Sequence, residues 1–286
     1  MKQGAETKEH EVGSTDQESE NRGAHRFSSR FPLPASRFRT LWRRFAVSLS
    51  FLTVLRLPVS GEITPEDFGG SYACFPIVGF LVGLMAYSAV LMLHSVMPPL
   101  LLAAWTCVLT TLVTRGFHLD GLADLADGLG GGYTPERRLE IMKDSATGAF
   151  GTLALVLDLL VKTSAIFSLI ETKNWLVLAI VPALSRFAIV VCAYKSSCAR
   201  PGGLAKAGVE YITGGSVIAA ALFAALFALP AGLRQAPILL PAAVACGLFV
   251  RTLANRGLGG VTGDVFGSAN EITEIVLFTF AACLWR

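Results

Sequence analysis

The chain has 286 residues, of which 53% are hydrophobic and 16% charged, with a mean hydropathy of +0.57 and a formal net charge of +3. Such a composition excludes an ordinary water-soluble domain of this length and points to an all-α, polytopic integral membrane bundle with the lipid bilayer as its solvent. The small charge balance implies no nucleic acid partner, and the placement of the basic residues beside apolar runs speaks to topology.

Residues 1–25 hold acidic and polar side chains without an apolar run; they are expected to be disordered and are not a signal peptide. From Arg26 to Arg44 the tail turns basic through Arg30, Arg37, Arg39, Arg43 and Arg44, as suits a stretch lying against anionic lipid, although a solvated linker accounts for it equally. The chain therefore divides into a cytoplasmic extension, 1–44, and a transmembrane catalytic domain, 45–286. The apolar stretch 45–57 is short and ends on Arg56 and Pro58, which favours an interfacial or re-entrant helix over a span.

Windows near the required length of about 20 apolar residues follow at 70–97, 99–115, 149–170, 175–194, 212–232 and 237–254, with a shorter seventh at 272–284. This gives six to seven transmembrane helices. With the N-terminus inside, the loops 116–148, 195–211 and 255–271 carry Arg137, Arg138, Lys143, Lys195, Arg200, Lys206 and Arg256, while the opposite side has Lys173, Arg234 and Arg286. The positive-inside rule thus places every long polar loop on the cytoplasmic side. Cys74, Cys107, Cys192, Cys198, Cys246 and Cys283 stand singly and are expected to be small buried apolar residues. Self-association into a homo-oligomer is compatible with the sequence.

Chemistry concentrates in the first inside loop, at His118-Leu119-Asp120-Gly121-Leu122-Ala123-Asp124-Leu125-Ala126-Asp127. On a helix Asp120, Asp124 and Asp127 fall on one stripe, within about 60° of one another. Three like charges on a face otherwise built of Leu, Ala and Gly need a compensating cation, and hard oxygen ligands select Mg²⁺, Mn²⁺ or Ca²⁺. A solvated helix face is the plain alternative. His118 is a candidate base, or holds an aspartate in place, or is merely a satisfied interfacial histidine.

Downstream of Gly130-Gly131-Gly132, the run Arg137, Arg138, Lys143, Asp144 and Ser145 offers cations and a hydroxyl for a phosphate, with Asp144 a further candidate metal ligand; topology signalling explains the arginines as well. In the fourth window Arg186 has no sequence-local partner and is expected to face the interior, open to a substrate phosphate or an aspartate. Asp158 and Lys162, spaced i, i+4, are expected to neutralise each other. After the sixth window, Thr262, Gly263 and Asp264 repeat the mixture of hydroxyl, glycine and carboxylate, Thr262 and Gly263 as phosphate donors and Asp264 as a metal ligand.

Taken together, His118-Leu-Asp-Gly-Leu-Ala-Asp-Leu-Ala-Asp-Gly, Leu139-Glu-Ile-Met-Lys-Asp-Ser and Gly259-Gly-Val-Thr-Gly-Asp, preceded by Phe75-Pro-Ile-Val-Gly, resemble the cobalamin synthase family, the adenosylcobinamide-GDP ribazoletransferases, from about Phe45 to the C-terminus. The resemblance implies a multi-span inner-membrane enzyme needing Mg²⁺. It would join α-ribazole or its 5′-phosphate to adenosylcobinamide-GDP with release of GMP, in nucleotide-loop assembly of vitamin B12. The polar extension, Leu125 and Ala146-Thr147 depart from the family pattern, and none of them removes a carboxylate. A CDP-alcohol phosphotransferase also spaces aspartates by three or four, but its Ala-Arg is missing here, where Leu122-Ala123 runs into Asp124. A solute transporter built on Asp158, Lys162 and Arg186 leaves the acidic loop unexplained.

Overall fold

A computed structural model describes residues 34–232 and 235–284, and one compact unit runs from Phe38 onward. The regular structure among the described residues is all helical, with no strand beyond one isolated bridge between Cys198 and Val261. The helices are α1 (Pro34–Leu52), α2 (Pro65–Ser71), α3 (Phe75–Leu93), α4 (Pro99–Val113), α5 (Phe117–Gly131), α6 (Pro135–Ile141), α7 (Ala149–Glu171), α8 (Val177–Ala193), α9 (Leu204–Tyr211), α10 (Gly214–Ala228), α11 (Ala236–Leu258) and α12 (Gly263–Leu284).

Helix α8 is the axis of the bundle, with every residue but Val191 buried, and α3, α10, α11 and α12 pack around it. Its contact with α3 is backbone to backbone. A Cβ at Gly79 would overlap the Pro182 carbonyl, and one at Gly83 the Leu178 carbonyl. Small residues at a helix crossing are how membrane bundles gain van der Waals contact when lipid supplies no hydrophobic drive. The outer faces are apolar instead of polar: Ile218, Leu222 and Leu226 on α10 are 64%, 66% and 54% exposed, a spacing that forms one lipid-facing stripe.

Five helices are long and apolar enough to cross a bilayer, at 65–93, 149–171, 214–231, 236–258 and 263–284, and α4 with α5 forms a sixth candidate bent by 91°. The 17 residues of α8 lie in the window expected at 175–194. The bend is made by Arg115 and Gly116, both left-handed (φ 57° and 64°), with the Gly116 N–H bonded to the Thr111 carbonyl at 2.8 Å. We read α5 as leaving the span and running across the end of the bundle.

Two boundaries differ from the sequence reading. The last helix begins at Gly263, not near 272, because its polar residues Asn270, Glu271 and Glu274 turn inward and are buried. At the other end, helix α1 includes residues 34–44, which the sequence assigned to the extension, and stops at Leu52, short of 57; residues 1–33 lie outside the described residues. Arg43 there bonds Asp67 at 2.7 Å and the carbonyls of Ser60 and Glu62, so it clamps the loop ahead of α2 rather than simply facing lipid. Of the cysteines, Cys74, Cys107 and Cys192 are buried as expected, Cys198 and Cys246 are half-buried, and Cys283, in the last turns of α12, is exposed.

Helix α5 crosses α12 closely. An added Cβ at Gly121 would lie 2.7 Å from the Asp264 carbonyl oxygen, and one at Gly267 would lie 3.0 Å from that of His118. Ser268 pins the crossing by donating to the Gly121 carbonyl at 2.9 Å. Gly121→Ala is therefore expected to wedge the two helices apart and lower stability by about 1–3 kcal/mol, the usual effect of overpacking. Thermal unfolding in detergent measures it, and an unchanged midpoint would show that the crossing has slack.

Candidate active site

The acidic stripe forms as expected on α5, with Asp120 exposed, Asp124 half-buried and Asp127 buried. The three carboxylates have different surroundings. Asp127 accepts the Gly148 N–H at 2.7 Å and the Gly151 N–H at 2.8 Å, so both its oxygens are held at the N-terminus of α7. Free N–H groups and the helix dipole make that end a natural seat for a carboxylate. A side chain at Gly148 or Gly151 would collide with Asp127 itself.

Asp124 sits among charges. Burial first, then the negative charges of Asp264 and Asp120, push its carboxyl from an ordinary 3.8 up to about 7, against the pull of Arg200. The close crossing at Gly121 is what brings Asp264 alongside α5. Asp264 accepts from Thr262 Oγ1 at 3.2 Å and faces Arg200 Nη1 at 3.3 Å. Thr262 also caps α12, accepting the Val265 N–H at 3.4 Å.

Three loops meet at this end of the bundle. The segments at Ser197–Ala199 and Val261 pair through Val261 N–H to the Ser197 carbonyl (2.8 Å) and Ala199 N–H to the Val261 carbonyl (3.0 Å). Arg200 reaches on to the Met142 carbonyl at 3.3 Å, and Arg138 bonds the carbonyls of Gly132 (2.8 Å) and Gly257 (2.9 Å). Arg138 is thus a brace between α6 and α11. Lys143, Asp144 and Ser145 are exposed on the same loop, with Asp144 accepting the Ala146 N–H. Arg137 is exposed and paired with Glu140. Between the loops and the bundle opens a cavity of about 260 Å³. Its polar lining includes Arg200, Lys206, Thr262 and Asp264, and a Cβ at Gly263, also in the lining, would meet open space.

Arg186 is not at this mouth. It is buried and bonded to Glu274, with Ser185 Oγ at 3.1 Å. Lys162 is likewise not a simple partner of Asp158 (3.2 Å): it also binds Glu271, and Glu274 at 3.1 Å. Three acids and two bases form one buried network linking α7, α8 and α12. Sequence reasoning missed Glu271 and Glu274, whose spacing of three before an apolar run was the available signal, and it counted Arg200 and Lys206 only as topology charges.

Among the described residues no group of three His, Cys, Asp or Glu side chains forms a ready metal cage. The donor chemistry nevertheless fits a hard cation. Mg²⁺ is commonly held by one or two carboxylates, with water and substrate phosphate completing the shell; Asp120 and Asp124, next to Asp264, supply oxygen donors and an excess of negative charge.

No solved structure matches the chain. Curated relatives do: proteins named adenosylcobinamide-GDP ribazoletransferase from Syntrophobacter fumaroxidans (45% identical, covering 86% of this chain and 100% of the relative), Geotalea daltonii (37%; 84% and 97%) and Pseudomonas aeruginosa (38%; 85% and 99%). The family described as Cobalamin-5-phosphate synthase matches residues 44–282, a range that takes in the α5 stripe, the three loops and the α5–α12 crossing, and the chain belongs to that family.

Proposed function

We propose that this protein joins α-ribazole, or its 5′-phosphate, to adenosylcobinamide-GDP with release of GMP, at the end of the bundle where α5 crosses α12. The observation that carries this reading is Asp124, half-buried between Asp120 and Asp264 with Arg200 opposite, a cluster of excess negative charge facing a basic rim. The names of the relatives supply the substrates. One or two of Asp120, Asp124 and Asp264 would hold Mg²⁺, with water and substrate phosphate completing its shell, while Asp127, its oxygens already engaged, fixes α5 against α7. Bound Mg²⁺ supplies charge neutralisation for a diphosphate and its leaving phosphate.

The residues of the chain do the rest by positioning and electrostatics, since phosphoryl transfer asks little covalent chemistry of a protein. Arg200 and Lys206 bind phosphate oxygens at the rim, with Thr262 and the Gly263 backbone beside them. Lys143 and Ser145 on the exposed loop, with Arg137 on α6, serve the nucleotide. A ribose hydroxyl oxygen forms a bond to the cobinamide-linked phosphorus, the bond from that phosphorus to the GMP oxygen breaks, and the hydroxyl proton passes to whichever carboxylate of Asp120, Asp124 and Asp264 is left free of the metal. The basic residues of the inside loops support placing this end on the cytoplasmic face of the inner membrane.

Purified protein in detergent with Mg²⁺ is expected to release GMP from adenosylcobinamide-GDP only when α-ribazole or its phosphate is added. Folded protein that releases none would remove this reading, and release of CMP from a CDP-alcohol would replace it.

A further inference from the structure

The cavity beneath the polar rim has a second character. Five aromatic side chains from four helices and a turn line it: Phe51, Tyr72, Phe75, Phe117 and Phe266. Tyr72 stacks on Phe75 at 4.3 Å between ring centroids, Phe51 stacks on Phe75 at 6.2 Å, and Phe117 meets Phe51 edge-on at 5.4 Å. Tyr72 and Phe75, 1% and 0% exposed, back this wall, and the half-buried rings of Phe51 and Phe117 are the ones with surface to offer a planar guest.

Among them lies His118, 2% exposed, with neither ring nitrogen hydrogen-bonded. A buried polar group without a partner costs about 1–3 kcal/mol. The unspent hydrogen bond inside an aromatic cavity is what a ring nitrogen of a ligand would satisfy.

Size excludes the macrocycle, and between the acceptor's base and the guanine of the donor, also a two-ring heterocycle, the largely apolar lining favours the less polar acceptor base. Small-molecule pockets run from about 300 Å³ upward, and a cavity of about 260 Å³ takes a two-ring heterocycle but not a corrin macrocycle. The cavity is continuous with Asp264, Thr262 and Arg200, so a base seated against the aromatic wall leaves its ribose beside Asp264.

We propose that this cavity recognises the flat heteroaromatic base of the acceptor nucleoside, with the aromatic wall stacking on its rings and His118 donating a hydrogen bond to its free ring nitrogen. The proposal rests on the transfer reading above and adds which substrate enters the cavity and through which contacts. It also assigns His118 to binding rather than to proton transfer.

The test uses the full chain in detergent. With the unaltered protein, free 5,6-dimethylbenzimidazole is expected to inhibit GMP release competitively against α-ribazole and not against adenosylcobinamide-GDP. His118→Phe keeps the ring volume and removes the donor. It should raise the KM for α-ribazole by about tenfold, the worth of one buried hydrogen bond, with kcat and the other KM little changed. Ala205→Leu, which adds bulk on the α9 wall of the cavity, should act in the same way.

Inhibition against adenosylcobinamide-GDP, or none at all, overturns the proposal, as does a His118→Phe variant that loses kcat at constant KM. If the unaltered protein releases no GMP, the transfer reading itself has failed. Calorimetric titration of α-ribazole into the unaltered protein, alone and with the free base present, then still decides the cavity: displacement by the base supports it, and absence of binding or of displacement overturns it.

Discussion

Asp124→Asn is expected to reduce GMP release by on the order of a thousandfold while leaving the protein folded. The carboxylate is placed where it adds to the charge of Asp120 and Asp264; the amide keeps the shape and removes the negative charge that would offset a cation. A contribution of several kcal/mol to charge stabilisation corresponds, at about 1.36 kcal/mol per tenfold, to that loss. Stability should move the other way. Relieving the repulsion among three neighbouring carboxylates leaves the unfolding midpoint in metal-free detergent unchanged or slightly raised, and any stabilisation by added Mg²⁺ should vanish. A variant that kept a tenth of the activity would take Asp124 out of the reaction.

Glu274→Ala should do the opposite, damaging the fold first. Glu274 serves Lys162 and Arg186 together, and also accepts from Ser185 at 3.2 Å and Asn270 at 3.3 Å. Removing it leaves Arg186 buried with no acid of its own among the described residues. Breaking one side of a buried ion pair costs about 3–5 kcal/mol, whereas replacing both partners by apolar groups of similar volume costs far less. Thermal unfolding should show a large drop for Glu274→Ala and recovery of most of it in the double variant Arg186→Met with Glu274→Leu. A single variant as stable as the parent would mean that the network carries no structural load.

The spans were legible because apolar runs of sufficient length have few other uses. What hid the start of α12 was its inward polar face: Asn270 and Glu271 read as loop, and the partners of Glu271 and Glu274 on α7 and α8 are 109 and 88 residues away. The acidic stripe was legible from its own spacing, since i, i+4, i+7 is a local property of a helix. The task of Asp127 was not, because the N–H groups it accepts belong to Gly148 and Gly151, beyond a loop. Asp264 was visible as a residue type, but its nearness to α5 depends on the small-residue crossing at Gly121 and Gly267. The aromatic wall was invisible for the same reason, its rings coming from four distant stretches, at Phe51, Tyr72 with Phe75, Phe117 and Phe266.

The left-handed pair at Arg115 and Gly116 turns α5 through 91° from α4. With α4 upright, successive carboxylates are spaced sideways at about 1.5 Å per residue, at one depth, instead of being stacked along the membrane normal. Asp120 and Asp124, about 6 Å apart along that axis, form a lateral ruler of roughly the length of a diphosphate. A donor and an acceptor that both arrive from water can thus meet at a common level, without either having to sink into the lipid to react.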